Sequence, residues 1–412
     1  MGEAFVTALG AFTFVLHSHL PYARLAGRWP HGEEWIHEAA TETYIPLLQT
    51  LYDLKEEGVK YRLTVGITPI LAEQLADADV LDHLDQYLDD RIEASKKDIV
   101  YFDAPETEDK HLHYLAEWYL NLFERIKTDF DTRFNRDMIG AFRRLQDEGY
   151  IEITTSAATH GYLPLLSRDS SIQGQIKTGA NSYRRMFGRD PSGIWLPECA
   201  YRPAYINDDG TTRPGIEYWL AQNGLKVFFS ETHTITGGQP VGVAAGDVIG
   251  PYGEIKRRYV VPPAETAPER PATTYEPYYV NDTTRGAAAT EHSGVAVIGR
   301  NNRTGQQVWS GDWGYPGDFD YREFHRKAGT SGLQYWRVTG TKTDLAYKDY
   351  YHPDWAAAKV DQHAEHFAHL VGDLLRNHHN ETGEFGLISS NYDTELFGHW
   401  WFEGVAWLGK VL

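Results

Sequence analysis

The feature that most constrains the fold is a series of seven short segments rich in β-branched and aromatic residues, each followed by a polar cluster. Their apolar residues occupy consecutive positions, as is typical of parallel strands buried on both faces. The segments are AFTFVLH (11–17), YRLTVGIT (61–68), YIEITTS (150–156), GIWLPE (193–198), LKVFFSE (225–231), VAVIGR (295–300) and FGLISSNYD (385–393). Helical patterns lie between several of them, which indicates βα units. We expect an α/β fold, an incomplete or distorted (β/α) barrel over residues 1–412, with a doubly wound sheet as the alternative.

Two connections between these segments are too long for simple crossovers. Residues 82–147 are charged and have a helical pattern, which predicts a helical insertion. Residues 237–293 are rich in Gly, Pro, Thr and Ala, and long loops in compact domains are usually functional or disordered. Because this segment carries Tyr275, Tyr278 and Tyr279, we interpret it as a long substrate-side loop, with a flexible surface excursion as the alternative.

The composition excludes several classes of function. The net charge is −19, from 39 basic and 58 acidic residues, whereas nucleic acids and anionic membranes favour a basic surface. Cys199 is the only cysteine, so the chain has no internal disulfide and fits a reducing compartment. The N-terminus lacks the basic start of a signal peptide, and no apolar run reaches the roughly 18 residues of a membrane helix. We expect a soluble, cytoplasmic protein.

Polar residues follow most of the predicted strands. In a parallel barrel the loops after the strands open on one face, so these side chains are expected to converge there. They are His17, His19, His160, Glu198, Glu231, His233, Arg300 and Asp393. Each alone is compatible with a polar cap on a strand, but the set holds carboxylates, imidazoles and a guanidinium from distant parts of the chain.

One interpretation of this set is a catalytic metal. His17 and His19 are two apart and face the same side of a strand, and His160 or Asp393 would supply a third ligand. Polysaccharide deacetylases use such a site on a similar barrel to activate water. A further group on a helical pattern is interpreted as a helix face rather than a ligand set: His363, His366 and His369.

The other interpretations concern Cys199 and the two carboxylates. A thiol beside Glu198 has its pKa raised rather than lowered, so we expect a buried structural cysteine. Glu198 and Asp393 end two strands that barrel closure would bring to one opening, and glycoside cleavage needs such a pair. Nearby aromatic residues would supply faces for sugar rings: Trp195, Tyr201, Trp400 and Trp401.

Several long motifs resemble those of glycoside hydrolase family 57. They are HSHLPY (17–22), ATHGYLP (158–164), GIWLPECAY (193–201) and YDTELFGHWWFEG (392–404). Two further stretches are similar to its branching-enzyme-type members: GRWPHGEEW (27–35) and QVWSGDWGYPGDFDYREFH (307–325). The resemblance covers nearly the whole chain except residues 237–293.

The resemblance implies a retaining mechanism on α-1,4-glucans over a (β/α)7 barrel, with no metal or cofactor. Glu198 is similar to the family's nucleophile and Asp393 to its general acid/base. The substrate-binding residues expected from the resemblance and the nearby aromatics are His17, His19, His160, Arg300, Trp309, Gly317 and Trp401.

The resemblance leaves the exact activity open. Branching-type members transfer an α-1,4 chain to a 6-hydroxyl in glycogen biosynthesis; the alternatives are an α-amylase, a 4-α-glucanotransferase or a catalytically impaired glucan-binding subunit. Those members continue into a helical C-terminal domain, which we expect to be absent from this chain. A protein partner supplying it is one expectation, with a docking edge formed by Val405, Trp407, Leu408, Val411 and Leu412.

Overall fold

A ring of parallel strands forms the centre of the protein. The computed structural model describes residues 8–28, 32–238, 248–250, 253–255, 268–282, 291–309, 314–340 and 342–412. Its strands are β1 (Gly10–Ser18), β2 (Leu63–Ile67), β3 (Ile151–Ser156), β4 (Gly193–Trp195), β5 (Tyr205–Ile206), β6 (Thr212–Arg213), β7 (Val227–Ser230), β8 (Val248–Gly250), β9 (Gly253–Ile255), β10 (Pro277–Asn281), β11 (His292–Gly299) and β12 (Gly386–Asp393).

The ring has the neighbour order β11-β7-β4-β3-β2-β1-β12 and is parallel throughout. It closes where Arg300, directly after β11, pairs with Ser389 on β12. Each of the seven segments predicted from sequence overlaps one of these strands. The prediction of an α/β fold with a (β/α)7 barrel is therefore confirmed.

Helices surround the ring and fill the connections. They are α1 (Glu34–Ala39), α2 (Ile45–Glu56), α3 (Pro69–Leu75), α4 (Ala78–Asp103), α5 (Lys110–Thr128), α6 (Met138–Asp147), α7 (Asp169–Phe187), α8 (Ile216–Gln222), α9 (Thr232–Thr236), α10 (Asn302–Trp309), α11 (Pro353–Thr382) and α12 (Gly404–Val411). In the described part of the chain, no helix combines the length and the hydrophobicity that crossing a membrane requires.

The predicted insertion, residues 82–147, consists mainly of α4, α5 and α6. Asp77 and Asp109 cap α4 and α5, because each side chain accepts hydrogen bonds from two backbone N–H groups of the first turn. Each helix buries one stripe, as Val80, Leu84 and Leu88 do on α4. A single crossover helix would suffice between β2 and β3, so we interpret this segment as an elaboration of the barrel.

The segment 237–293 is described only in part. The short strands β8 and β9 pair with each other, and β10 adds an antiparallel strand to β11. Tyr278 and Tyr279 belong to β10, and the ring of Tyr275 stacks on His378 with centroids 4.6 Å apart. The remainder of the predicted substrate-side loop lies outside the described residues.

The C-terminal residues pack into the core. Val405, Trp407 and Leu408 are buried, with Trp407 stacked on Phe397 at 6.0 Å between ring centroids. The expectation that these three residues form an exposed docking edge was wrong, because α12 turns their side chains toward the barrel and α11.

Candidate functional site

A cavity of about 820 Å3 opens at the carboxyl ends of the barrel strands. It is lined by six of the nine residues predicted for catalysis and substrate binding: His17, His19, His160, Glu198, Trp309 and Asp393. We call it the strand-end cavity. The two carboxylates thus face one space although they lie almost two hundred positions apart in the chain.

Glu198 sits on a tight turn after β4. The turn Pro197–Cys199 is a single 3-10 turn in which Glu198 has φ 58° and Cys199 has φ 53°. Non-glycine residues seldom adopt these left-handed conformations, and such strain is characteristic of functional sites. The turn leaves 70% of the Glu198 side chain exposed, so that its carboxylate is solvated at the cavity.

The same turn directs Cys199 into the protein. Its side chain packs in a buried cluster with Val15, Trp195 and Phe229. Burial, followed by the charge of Glu231, raises the pKa of the thiol well above its ordinary value. This environment agrees with the expectation of a structural cysteine and disfavours a thiolate nucleophile.

Asp393 is the last residue of β12 and the direct neighbour of His17 in the β1–β12 register. Partial desolvation by the surrounding protein and the negative charge of Glu198 raise the pKa of Asp393 to about 6, against a smaller opposing effect of Arg300. A carboxyl group with this pKa can hold a proton near neutral pH and can also release it.

Three imidazoles form a stack beside the carboxylates. Nε2 of His17 lies 3.0 Å from Nε2 of His160, and the rings of His19 and His160 stack with centroids 3.8 Å apart. Burial lowers the pKa of His19 to about 4, and burial together with the charge of His19 lowers that of His160 to about 3. Burial and both neighbouring histidines also lower the pKa of His17. The three rings are therefore neutral at pH 7, each with one N–H donor and one acceptor nitrogen.

The imidazole stack lies beside both carboxyl-bearing residues. Nδ1 of His160 lies 3.9 Å from Oε1 of Glu198, and His17 is the register partner of Asp393 in the β1–β12 ladder. Among the described residues, no group of three His, Cys, Asp or Glu side chains is placed to hold a metal ion. Each neutral ring has one N–H donor and one acceptor nitrogen, which suits hydrogen bonding to hydroxyl groups.

The histidines on α11 lie away from this stack. Nδ1 of His363 is 2.8 Å from the Tyr321 hydroxyl, and Nδ1 of His366 is 2.6 Å from the Tyr315 hydroxyl. His369 is exposed and faces Glu365. These contacts agree with a packed and partly exposed helix face.

Three of the predicted substrate-binding residues do not belong to the described lining of the strand-end cavity: Arg300, Gly317 and Trp401. Arg300 forms an ion pair with Glu231, with 2.6 Å between Nη1 and Oε1, and acts on Asp393 through its charge. Trp401 is 2% exposed and packs on Trp407 in the core, whereas Trp400 is 55% exposed and lines the cavity. Trp401, which the sequence predicted as a binding residue, is therefore a core residue, and its neighbour Trp400 provides the aromatic surface of the cavity.

Sequence reasoning missed several residues of the cavity, among them Phe324. Trp400, which the sequence predicted as an aromatic face for sugar rings, does line the cavity, and its ring lies 4.4 Å from that of Phe324. Trp35 adds further aromatic surface to that of Trp309. Glu395 follows Asp393 by two positions and also lines the cavity. Its place in the motif after β12 was visible in the sequence, but the pair Glu198 and Asp393 alone accounted for the expected chemistry.

A second cavity of about 580 Å3 lies among α2, α5, α11 and α12, and we call it the helical cavity. Trp118, Arg322, Phe402 and Glu403 belong to its lining. It holds none of the residues that the sequence predicted for catalysis. The strand-end cavity is thus the candidate active site.

The sequence and fold of the chain are similar to those of several known proteins. The sequence model of glycosyl hydrolase family 57 matches residues 13–406. The chain is 45% identical over 407 residues to a curated 1,4-alpha-glucan branching enzyme of Thermococcus kodakarensis. The matched region covers 98% of this chain and 55% of that relative. It therefore spans little more than half the length of that relative.

Two solved structures share the fold over 98% of this chain. The crystal structure of a GH57 branching enzyme from Thermococcus kodakaraensis, in complex with glucose and additives, superposes with a TM-score of 0.82 at 45% identity and is covered over 68% of its length. The alpha-amylase AmyC of Thermotoga maritima superposes with a TM-score of 0.76 at 30% identity and is covered over 70%.

Proposed function

The chain belongs to glycosyl hydrolase family 57, and from this membership we propose that it is a retaining enzyme of α-1,4-glucans that transfers the cleaved chain to a 6-hydroxyl, as a 1,4-alpha-glucan branching enzyme does. Its substrate would be amylose, glycogen or maltooligosaccharides. The similarity to a branching enzyme at 45% identity exceeds that to the alpha-amylase at 30%, which favours transfer.

In the first half of the proposed reaction, a carboxylate oxygen of Glu198 attacks the anomeric carbon of the donor sugar. The bond from this carbon to the O4 leaving oxygen breaks, and Asp393 gives its proton to that oxygen. In the second half, Asp393 takes the proton of the acceptor's 6-hydroxyl, whose oxygen attacks the anomeric carbon and releases Glu198. A retaining enzyme of this kind places its two carboxyl groups about 5–5.5 Å apart.

The single observation that carries the proposal is the pairing of an exposed Glu198 with a protonatable Asp393 in one cavity. The raised pKa of Asp393, about 6, has desolvation and the Glu198 charge as its causes. A carboxyl group whose pKa is raised beside a second carboxylate meets the requirement for one acid and one nucleophile.

The remaining lining suits a neutral sugar chain. The stacked His17, His19 and His160 offer donors and acceptors to sugar hydroxyl groups without adding charge. Trp309 and Trp400 present partly exposed aromatic faces on which sugar rings can stack. We propose these residues as the binding surface for the donor chain, with Trp400 replacing Trp401 in that role.

Hydrolysis is the second candidate, because the fold also superposes on an alpha-amylase over 98% of the chain. Water would then replace the 6-hydroxyl in the second half of the reaction, with the same two carboxyl groups. A glucan-binding subunit without turnover remains the candidate from another class.

The test is incubation of the purified protein with amylose, followed by proton NMR and a reducing-end assay. Branching predicts new α-1,6 signals with little gain of reducing ends, and loss of both with Glu198→Gln. Reducing ends without α-1,6 signals would establish hydrolysis instead. Glycogen binding that survives Glu198→Gln, with no turnover in either protein, would establish the binding subunit.

A further inference from the structure

Glu395 is a buried acid in the strand-end cavity to which the reaction above gives no role. Its residue is 7% exposed, and it lines the cavity two positions after Asp393. Its Oε1 atom accepts a hydrogen bond from the backbone N–H of His19 at 3.1 Å and a second from the hydroxyl of Tyr44. Through this oxygen, the turn after β12 is bonded to the end of β1, which lies far from it in the chain.

A second contact joins the same segments. The hydroxyl oxygens of Ser18 and Thr394 lie 2.8 Å apart and are buried. The β1–β12 ladder ends with the pair His17 and Asp393, so these contacts continue the connection beyond the last ladder pair. We call the contacts of Glu395 and Thr394 with the end of β1 the clasp.

The clasp reaches the catalytic pair from both sides. On one side, Glu395 and Thr394 directly follow Asp393. On the other, the ring of His19 stacks on His160 at 3.8 Å, and Nδ1 of His160 is 3.9 Å from Oε1 of Glu198. A displacement of the end of β1 would therefore move the imidazole stack that adjoins Glu198.

We propose that Glu395 is a positioning residue that, by holding the end of β1 against the turn after β12, fixes Asp393 relative to Glu198. The inference rests on the proposed function for its catalytic meaning, but the clasp itself is a property of this chain's contacts. In this role Glu395 positions the catalytic pair without contacting the reacting atoms.

The protonation state of Glu395 suits this task. Burial, reinforced by the charge of Asp393 and opposed by the hydrogen bonds from Tyr44 and His19, raises its pKa to about 8. The ionisable groups that face it are Asp393, Tyr44 and His19. Neutral Glu395 still accepts both hydrogen bonds at Oε1 and adds no third negative charge beside the catalytic pair.

The kinetic test compares Glu395→Gln, Glu395→Ala and Tyr44→Phe on a maltooligosaccharide donor. Gln keeps an acceptor oxygen and is neutral, so kcat is expected to stay within about 3-fold of wild type. Ala removes the Glu395 contacts of the clasp and leaves only that of Thr394; kcat is expected to fall about 100-fold with KM changed far less, since small misplacements of reacting groups have effects of that order. The kcat of Tyr44→Phe is expected to lie between those of Glu395→Gln and Glu395→Ala.

The matched control is Tyr61→Phe, which removes another buried hydroxyl, one that donates to the Leu51 carbonyl away from the cavity. Its kcat is expected to equal that of wild type. Thermal unfolding midpoints show that each variant is folded. Wild-type kcat in folded Glu395→Ala, or equal losses in the Gln and Ala variants, would overturn the proposal.

A crystal structure of Glu395→Ala tests the clasp independently of activity. The expected result is a separation of His19 from the turn after Asp393 relative to wild type. If both segments keep their wild-type positions, the proposal is overturned. Lack of glucan activity in the wild-type protein would contradict the proposed function instead, while this structural comparison would still decide the role of Glu395.

Discussion

Three residues at the candidate site share an unusual backbone conformation. His160, Glu198 and Cys199 all have φ between 53° and 58°. Each such residue costs of order 1–3 kcal/mol and persists only where the surrounding structure enforces it. Cys199 is held by its buried cluster and His160 by its stacking on His19, so the turns that contain them are fixed. The Glu198 carboxylate is thereby held at the strand-end cavity. The strain accompanies the placement of Glu198, the proposed nucleophile.

The raised pKa of Asp393 predicts that kcat/KM depends on pH. Asp393 must be protonated to act as an acid, and its pKa is about 6, so kcat/KM is expected to fall as the pH rises above about 6. Arg300 lowers this pKa through its charge, so Arg300→Met is expected to raise it. The alkaline limb of the profile is therefore expected to move to higher pH.

Profiles of kcat/KM against pH for wild type and Arg300→Met check this expectation. Arg189→Met serves as the control, because Arg189 pairs with Asp147 on the surface. A limb that stays in place, or moves to lower pH, in Arg300→Met would contradict the electrostatic role of Arg300.

The site residues differed in how far the sequence could predict them. His17 and Asp393 lie at strand ends, where the fold itself fixes the direction of the side chain, and Glu198 lies on the turn shortly after β4. Trp400 and Trp401 lie between the turn Thr394–Leu396 and α12, in a segment with no regular period. Nothing in the sequence there distinguishes the tryptophan that packs in the core from the one that faces the cavity.

At the scale of elements, α7 lies unusually close to the barrel. A Cβ atom added at Gly179 would be 2.2 Å from the carbonyl oxygen of Ser156 on β3. The Thr155 hydroxyl donates to the Gly179 carbonyl at 3.2 Å across the same contact. This approach packs α7 against β3, whose C-terminal end leads into the loop that carries His160.

The same helix provides a matched pair of substitutions. Gly179→Ala is expected to destabilise the protein by about 1–3 kcal/mol, because the added methyl group overlaps the β3 backbone. Gly174→Ala, with no atom within 4 Å of the added carbon, is expected to stabilise it by about 0.5–1 kcal/mol through helix propensity. Urea unfolding of both variants measures the difference. Changes of the same sign would refute the packing argument.

The elements were predictable to different degrees for a physical reason. Most residues of the seven ring strands are buried or partly buried on both faces, so their apolar residues run consecutively and stand out. In contrast, β10 alternates between exposed and partly buried residues and begins at Pro277, as an edge strand can. It falls within a segment rich in Gly and Pro that predicted a loop.

At the scale of the whole molecule, a buried ionic network connects the two cavities. Glu42 pairs with Arg322 at 2.8 Å and with His399 at 2.9 Å, and the backbone N–H of Arg322 donates to Glu403 at 3.1 Å. The Arg322 guanidinium also lies 3.9 Å from the centre of the Phe402 ring. His399 lines the strand-end cavity, and Glu403 lines the helical cavity. Sequence could not predict the network, because its partners meet only through the tertiary fold.

Breaking this network is expected to cost far more than breaking a surface pair. Arg322→Met removes the guanidinium that pairs with the Glu42 carboxylate, and breaking a buried ion pair by removing one partner costs about 3–5 kcal/mol. Lys410→Met is the control, since Lys410 and Asp361 are both 61% exposed and such pairs contribute about 0–1 kcal/mol. Urea unfolding at neutral pH measures both losses, and equal losses would contradict the argument.

The pH dependence of stability gives an independent measure of the same network. Burial alone would raise the pKa of Glu42, but the charge of Arg322 and the contacts with His399 outweigh it and lower the pKa from 4.5 to about 2. A lowered carboxyl pKa stabilises the folded state above the unfolded value, and this contribution disappears as the pH falls from about 4.5 toward 2. Without Arg322 the pKa of Glu42 is no longer lowered by its main cation. Arg322→Met is therefore expected to lose less unfolding free energy than wild type between pH 5 and pH 3, and an unchanged acid dependence would show that Arg322 does not hold Glu42 ionised.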